Sequence, residues 1–226
     1  MKKNGGLRVK AVLFDLDGTL LDRDTSVRAF IDHQYDRFWN GAGVKTAYIR
    51  RFLELDAGGY VWKDRVYQQL AVEFPQLKLS WKVLLDDYVD RFQEEAQGFS
   101  GLHAMLRSLR ESGLLLGIIT NGRGHFQQRN IDALDIGAYM DIVLISEWEK
   151  VKKPDPAIFM QALKRLNVAP AASVFIGDHP INDIEAAKGV GMRTIWKRGP
   201  GVEPAAADAV VDRLLDVPEV MERWNQ

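Results

Sequence analysis

After Ser100, short apolar runs alternate with stretches whose apolar positions recur at helical spacing, and that alternation predicts a parallel sheet joined by crossover helices. The runs that read as strands are Lys10–Asp15, Leu114–Asn121, Asp141–Ser146, Ser173–Asp178 and Arg193–Lys197, with a short edge strand at Asp208–Val211. Between them, Leu102, Met105, Leu106 and Leu109 share a helical face, with Ser100 as the expected cap and Gly113 as the stop. A weaker helix is expected around Phe126–Leu134. Asp155 followed by Pro156 opens a clearer one, in which Ile158, Phe159, Ala162, Leu163 and Leu166 repeat. Ile181, Ile184, Ala187 and Val190 mark another.

From Asp22 to about Gly98 the strand signal is absent and only helical spacing remains. The apolar positions are Val27, Phe30, Ile31 and Phe38, then Val66, Leu70, Ala71 and Phe74, then Trp81, Leu84, Leu85, Tyr88 and Phe92. The pattern divides the chain into an α/β core domain of residues 7–21 and 98–226 and a helical cap domain of residues 22–97. Because the insert follows the first strand directly, it is expected over the C-terminal edge of the sheet, where ligands of open α/β sheets bind, and as a lid that excludes water. Trp39, Trp62 and Trp81 are expected in the insert's own core.

Composition narrows the classes. The 226 residues are 46% hydrophobic, enough for one large core or for a core domain plus a smaller one. Thirty basic residues against 31 acidic ones give a net charge of −1, which offers no general attraction to nucleic acid or to an anionic membrane. The chain has no cysteine, so it has no disulfide, thiol nucleophile or cysteine-based zinc site; a reducing, cytoplasmic setting is expected. No apolar run approaches the ~18 residues of a membrane span, and Lys2 to Gly6 read as a frayed tail. Neither a phosphate loop ending in Gly-Lys nor a Gly-x-Gly-x-x-Gly fingerprint occurs, which leaves nucleotide motors and dinucleotide oxidoreductases without support.

Chemistry gathers at the strand ends. Asp15 and Asp17 stand two apart, so a strand puts them on one side while Leu16 turns into the core, and Gly18 lets the backbone leave at once. Two acids so placed suit Mg2+ binding and a division between nucleophile and acid/base, although Asp-Gly is also an ordinary turn. Thr120, Asn121 and Gly122 end the next strand, where a hydroxyl and backbone N–H groups suit phosphate oxygens; a plain turn reads the same way. Lys153 beside Pro154 offers one ammonium to a cluster of carboxylates, or else a solvated lysine pair with Lys152. Asp178 after Gly177 could bind a cation, and Asp183 could hold water, brace Lys153 or simply sit in a helix first turn.

Taken together and in order, these segments resemble the four motifs of the haloacid dehalogenase superfamily of phosphohydrolases. The match is Asp-Leu-Asp-Gly-Thr-Leu from Asp15 to Leu20, then Thr120, then Lys153 before Pro154, then Gly177-Asp178 with Asp183. The position of the helical insert is similar to that of the phosphoglycolate phosphatase-like and nucleotidase-like subgroup. The resemblance implies a Rossmann-like, doubly wound parallel sheet with the first strand central and a small all-helical cap. It further implies Asp15 as nucleophile, Asp17 as acid/base, and Mg2+ held by Asp15, the Asp17 backbone carbonyl and Asp178. Thr120 and the Asn121 N–H would bind the phosphoryl group, Lys153 would neutralise charge, and Asp183 would act from behind. The family's dehalogenases lack an acid where Asp17 stands, which points to hydrolysis of small-molecule phosphomonoesters. A sugar-phosphate mutase of the same family, and a phospho-ligand binding protein that does no chemistry, remain open.

Within the insert, Arg50, Arg51, Lys63 and Arg65 are candidates for a second anionic group of the substrate, or else solvated helix-face charges. The Asp56-Ala57-Gly58-Gly59 stretch reads as a loop toward the site or as a plain helix connection. The small-molecule substrate is the one partner expected, with monomer and homodimer both compatible with the sequence.

Overall fold

The structure is a computed structural model and describes residues 8–39, 43–199 and 206–225; the expected tail at Lys2 to Gly6 lies outside them. The chain divides into two compact units, one made of Met1–Asp22 and Gly98–Gln226, the other of Arg23–Gln97.

In the first unit, β1 (Ala11–Phe14), β2 (Leu115–Thr120), β3 (Ile142–Ile145), β4 (Ser173–Gly177), β5 (Arg193–Lys197) and β6 (Ala209–Val211) form a six-stranded parallel sheet in the order β3-β2-β1-β4-β5-β6. The first strand is central, with Phe14 paired to Ile118 on one side and to Ile176 on the other. Leu13, Ile119, Leu144 and Phe175 pack on Ile158, Phe159, Ala162 and Leu163 of a helix that runs Pro156–Leu166. Residues of the other parity, Val12, Phe14, Leu116, Ile118, Val174 and Ile176, are equally buried, so both faces of the sheet are covered.

The second unit is helical. It holds α1 (Arg23–Phe38), α2 (Lys45–Asp56), α3 (Lys63–Glu73) and α4 (Trp81–Arg91). Its core is aromatic: Phe30, Tyr35, Tyr48, Phe52, Tyr67, Tyr88 and Phe92 are buried, and Phe30 meets Tyr88 edge-on with 5.2 Å between ring centres. Trp39, Trp62 and Trp81, expected in that core, are only half-buried at its margin. Trp39 spends its indole N–H on the Leu77 carbonyl at 2.7 Å. The basic candidates separate. Arg51 is clasped by Glu73, Arg50 faces Glu54, Arg65 is exposed, and Lys63 is buried against Asp56, which Arg23 also holds at 2.8 Å.

The chain returns to the sheet at a backbone bridge between Leu21 and Gly98, followed by the Phe99 N–H donating to the Leu20 carbonyl at 3.0 Å. The rest of the first unit adds α5 (Leu102–Glu111), α6 (Gly124–Ala133), α7 (Ser146–Glu149), α8 (Pro156–Leu166), α9 (Ala186–Gly189) and α10 (Val217–Asn225). Ser100 does not cap α5: Gly101 takes the cap position with φ +83°, and a side chain there would run into Leu215. Asp155 does cap α8, its carboxylate accepting from the Ala157 N–H at 2.9 Å.

Candidate active site

Asp15 directly follows β1, and its N–H donates to the Ile176 carbonyl at 2.9 Å, so the sheet itself holds its backbone. Leu16 is fully buried, while Asp15 meets Lys153 and the half-buried Asp17 meets Gln127. The backbone then doubles back, the N–H groups of Leu20 and Leu21 both reaching the Leu16 carbonyl at 2.9 Å. Gly18 makes that turn with φ +82°, and a Cβ on it would lie 2.7 Å from Cγ of Asp178. Only glycine satisfies both the backbone angle and the approach of β1's loop to β4's.

Lys153, 3% exposed, donates to Asp15 Oδ1 at 2.5 Å and to Asp183 Oδ1 at 2.7 Å. Its backbone is locked by Asn121, whose side chain accepts from the Lys153 N–H and donates to the Lys153 carbonyl, both at 2.9 Å. Burial opposes the charge on Lys153, but the carboxylates of Asp15 and Asp183 outweigh it and hold the ammonium's pKa above the ordinary lysine value. Asp183 uses its second oxygen as well, accepting from the His179 N–H at 3.0 Å. With both oxygens taken, Asp183 is a brace for the lysine and for the turn after β4. His179 in turn accepts from the N–H groups of Ile181 and Asn182 through Nδ1, both at 3.1 Å. That cap starts the segment from Pro180 to Glu185 as a widened helical turn ahead of α9.

Asp15, Asp178 and Asp183 bring carboxylate oxygens within 4.8 Å of one another. Burial pushes the Asp15 carboxyl well above its ordinary range; Lys153 opposes this, while Asp183, Asp178 and Asp17 add to it. Burial, reinforced by Asp183, pushes Asp178 up to about 7. Among the described residues the ammonium in ion-pair contact with these acids is that of Lys153, so the cluster carries surplus negative charge. An all-oxygen donor set with uncompensated charge suits a hard divalent cation.

Thr120 ends β2, nearly fully buried. Between it and Asp17 lies Gln127 of α6, which the motif pattern does not reveal: Gln127 Nε2 donates to Asp17 Oδ2 at 2.6 Å and to Thr120 Oγ1 at 2.8 Å. No sequence signal distinguishes it, since a glutamine on a helix is ordinary. The structure thus brings Asp15, Asp17, Thr120, Asn121, Lys153, Asp178 and Asp183 to the C-terminal ends of β1, β2 and β4 and the loop that carries Lys153.

Residues 12–197 match the family model for haloacid dehalogenase-like hydrolases. The chain belongs to that family. Among curated relatives of this haloacid dehalogenase-like hydrolase, the glyceraldehyde 3-phosphate phosphatase of Pyrococcus abyssi is 40% identical over 83% of the chain and 81% of its own length. The enzyme of the same name from Pyrococcus furiosus is 30% identical over 96% of the chain and 95% of its own. Among solved structures, the HAD-hydrolase YfnB of Bacillus subtilis, determined with magnesium bound, superposes with a TM-score of 0.76 at 20% identity, covering 95% of this chain and 99% of that one. The chain is a phosphatase of the haloacid dehalogenase-like family.

Proposed function

We propose that this phosphatase hydrolyses small-molecule phosphomonoesters with Mg2+, through an aspartyl phosphate formed on Asp15. The observation that carries the reading is the buried Lys153 ammonium held between Asp15 and Asp183 at the end of the central strand. It fixes the rotation of the Asp15 carboxylate and supplies the positive charge that a phosphoryl group needs as it approaches an acid.

In the first half-reaction an Asp15 oxygen attacks phosphorus, the bond from phosphorus to the ester oxygen breaks, and Asp17 gives its proton to the departing alcohol. In the second, Asp17 takes a proton from water, whose oxygen attacks the aspartyl phosphate and returns Asp15 as a carboxylate with release of inorganic phosphate. Thr120 and the Asn121 N–H hold the phosphoryl oxygens, while Asn121's side chain keeps the Lys153 backbone in place. Asp15, Asp178 and the Asp17 carbonyl would hold the Mg2+, which supplies charge neutralisation and alignment of the phosphoryl oxygens. YfnB carries that ion on the same fold. The carboxylate at Asp17 favours ester hydrolysis over dehalogenation, since a halide leaving group needs no proton.

Phosphate release from a panel of glyceraldehyde 3-phosphate, phosphoglycolate, sugar phosphates and nucleoside monophosphates tests the reading. Release with Mg2+, lost in EDTA and reduced ~10³-fold or more by Asp15→Asn, is expected. Release that persists in Asp15→Asn overturns it.

A further inference from the structure

Gln127 is 2% exposed and lies outside the four strand-end motifs, yet its amide joins two of them. We propose that Gln127 is a positioning residue that fixes the proton-carrying oxygen of Asp17; this rests on the reading of Asp17 as acid/base.

The amide nitrogen has two hydrogens and two close acceptors, Asp17 Oδ2 at 2.6 Å and Thr120 Oγ1 at 2.8 Å, with the Asn121 carbonyl further off at 3.3 Å. The other end of the amide is set by Asn130, whose Nδ2 donates to Gln127 Oε1 at 3.2 Å. That contact and the repulsion between an amide oxygen and a carboxylate select the same orientation. With Oδ2 of Asp17 occupied by an N–H, the proton that Asp17 gives and takes is carried on Oδ1. Oγ1 of Thr120 accepts from the same amide, while its own hydroxyl donates to the Asn121 carbonyl at 3.4 Å. The chain also makes room for this side chain, since a Cβ at Gly122 would lie 2.8 Å from Gln127 Cγ. One neutral group thus couples the acid after β1 to the hydroxyl that ends β2, and adds no charge to a site already crowded with it.

The test is a leaving-group comparison on the full chain with Mg2+. Q127M and Q127L both remove the amide without adding charge, Q127M also preserves side-chain length, and melting temperatures identify any variant that has failed to fold. For each, kcat/KM, which reports the steps up to departure of the alcohol, is measured with the best alkyl phosphate of the panel and with p-nitrophenyl phosphate, whose leaving group needs no proton. The expected result is a loss of about 10–100-fold on the alkyl ester, part of the usual general-acid contribution, with less than about threefold on the aryl ester. Equal losses on both esters, or no loss on the alkyl ester in a folded variant, overturn the assignment. D17N run in parallel separates the layers: if it treats the two esters alike, the acid role of Asp17 fails and the inference goes with it. If D17N discriminates and both Gln127 variants do not, the acid role stands and the role of Gln127 falls.

Discussion

Gly18 occupies the position where backbone angle and side-chain space exclude any other residue at once. Its φ of +82° costs an L-residue roughly 1–2 kcal/mol, and the Cβ would press on the Asp178 carboxylate as well. Gly18→Ala is therefore expected to lower stability in urea by more than that backbone cost, about 1–2 kcal/mol. By displacing Asp178 it is also expected to raise the Mg2+ concentration needed for half-maximal turnover. Wild-type Mg2+ dependence in this variant would show that Asp178 does not contribute to holding the ion. Asp15, Thr120 and Asp178 are legible because each stands at the end of an apolar run, and Lys153 because a proline follows it. Gln127 is not, since its partner Asp17 is 110 positions away and nothing local marks the meeting.

At the scale of elements, α2 and α3 are tied by Arg51 and Glu73, whose two hydrogen bonds measure 2.7 and 2.9 Å. The hydrogen bonds from Arg51, helped by Gln69, pull the Glu73 carboxyl down from 4.5 to about 2. A carboxyl depressed in the folded state stabilises above its unfolded value, and that contribution is lost as the pH falls through the folded one. Glu73→Gln should thus melt slightly below wild type at pH 7, with the gap closing between about 4.5 and 2. A gap that is unchanged at pH 3 would mean that Glu73 acts by packing. The β5 strand, Arg193–Lys197, and α8 match the sequence pattern because both are set by local signals, an apolar run for β5 and the Asp155 cap with its apolar stripe for α8. Helix α2 escaped the apolar pattern because its buried stripe is Tyr48, Phe52 and Asp56, the last an acid that Arg23 and Lys63 neutralise. Spacing arguments assign acids and lysines to water, so a buried ion cluster erases the signal of its own helix.

For the molecule as a whole, a site with surplus carboxylate charge predicts a stability that depends on the ion. Mg2+ at a hundred times its Kd adds about 2.7 kcal/mol to a state that binds it. The melting temperature should consequently rise by several degrees over that in EDTA, and the rise should vanish in Asp178→Asn. A rise that survives this substitution would place the ion elsewhere. Among the described residues no helix is long and apolar enough to cross a membrane. The bridge between Leu21 and Gly98 bears on how the chain reaches its fold. Pairing β1 with β2 joins segments far apart in sequence, a slow event for an open chain because the loop must close before any contact rewards it. Helices form quickly from local contacts. Once α1 to α4 have packed, the path from Leu21 to Gly98 is already short, and β1 and β2 become kinetic neighbours despite the long stretch of chain between them.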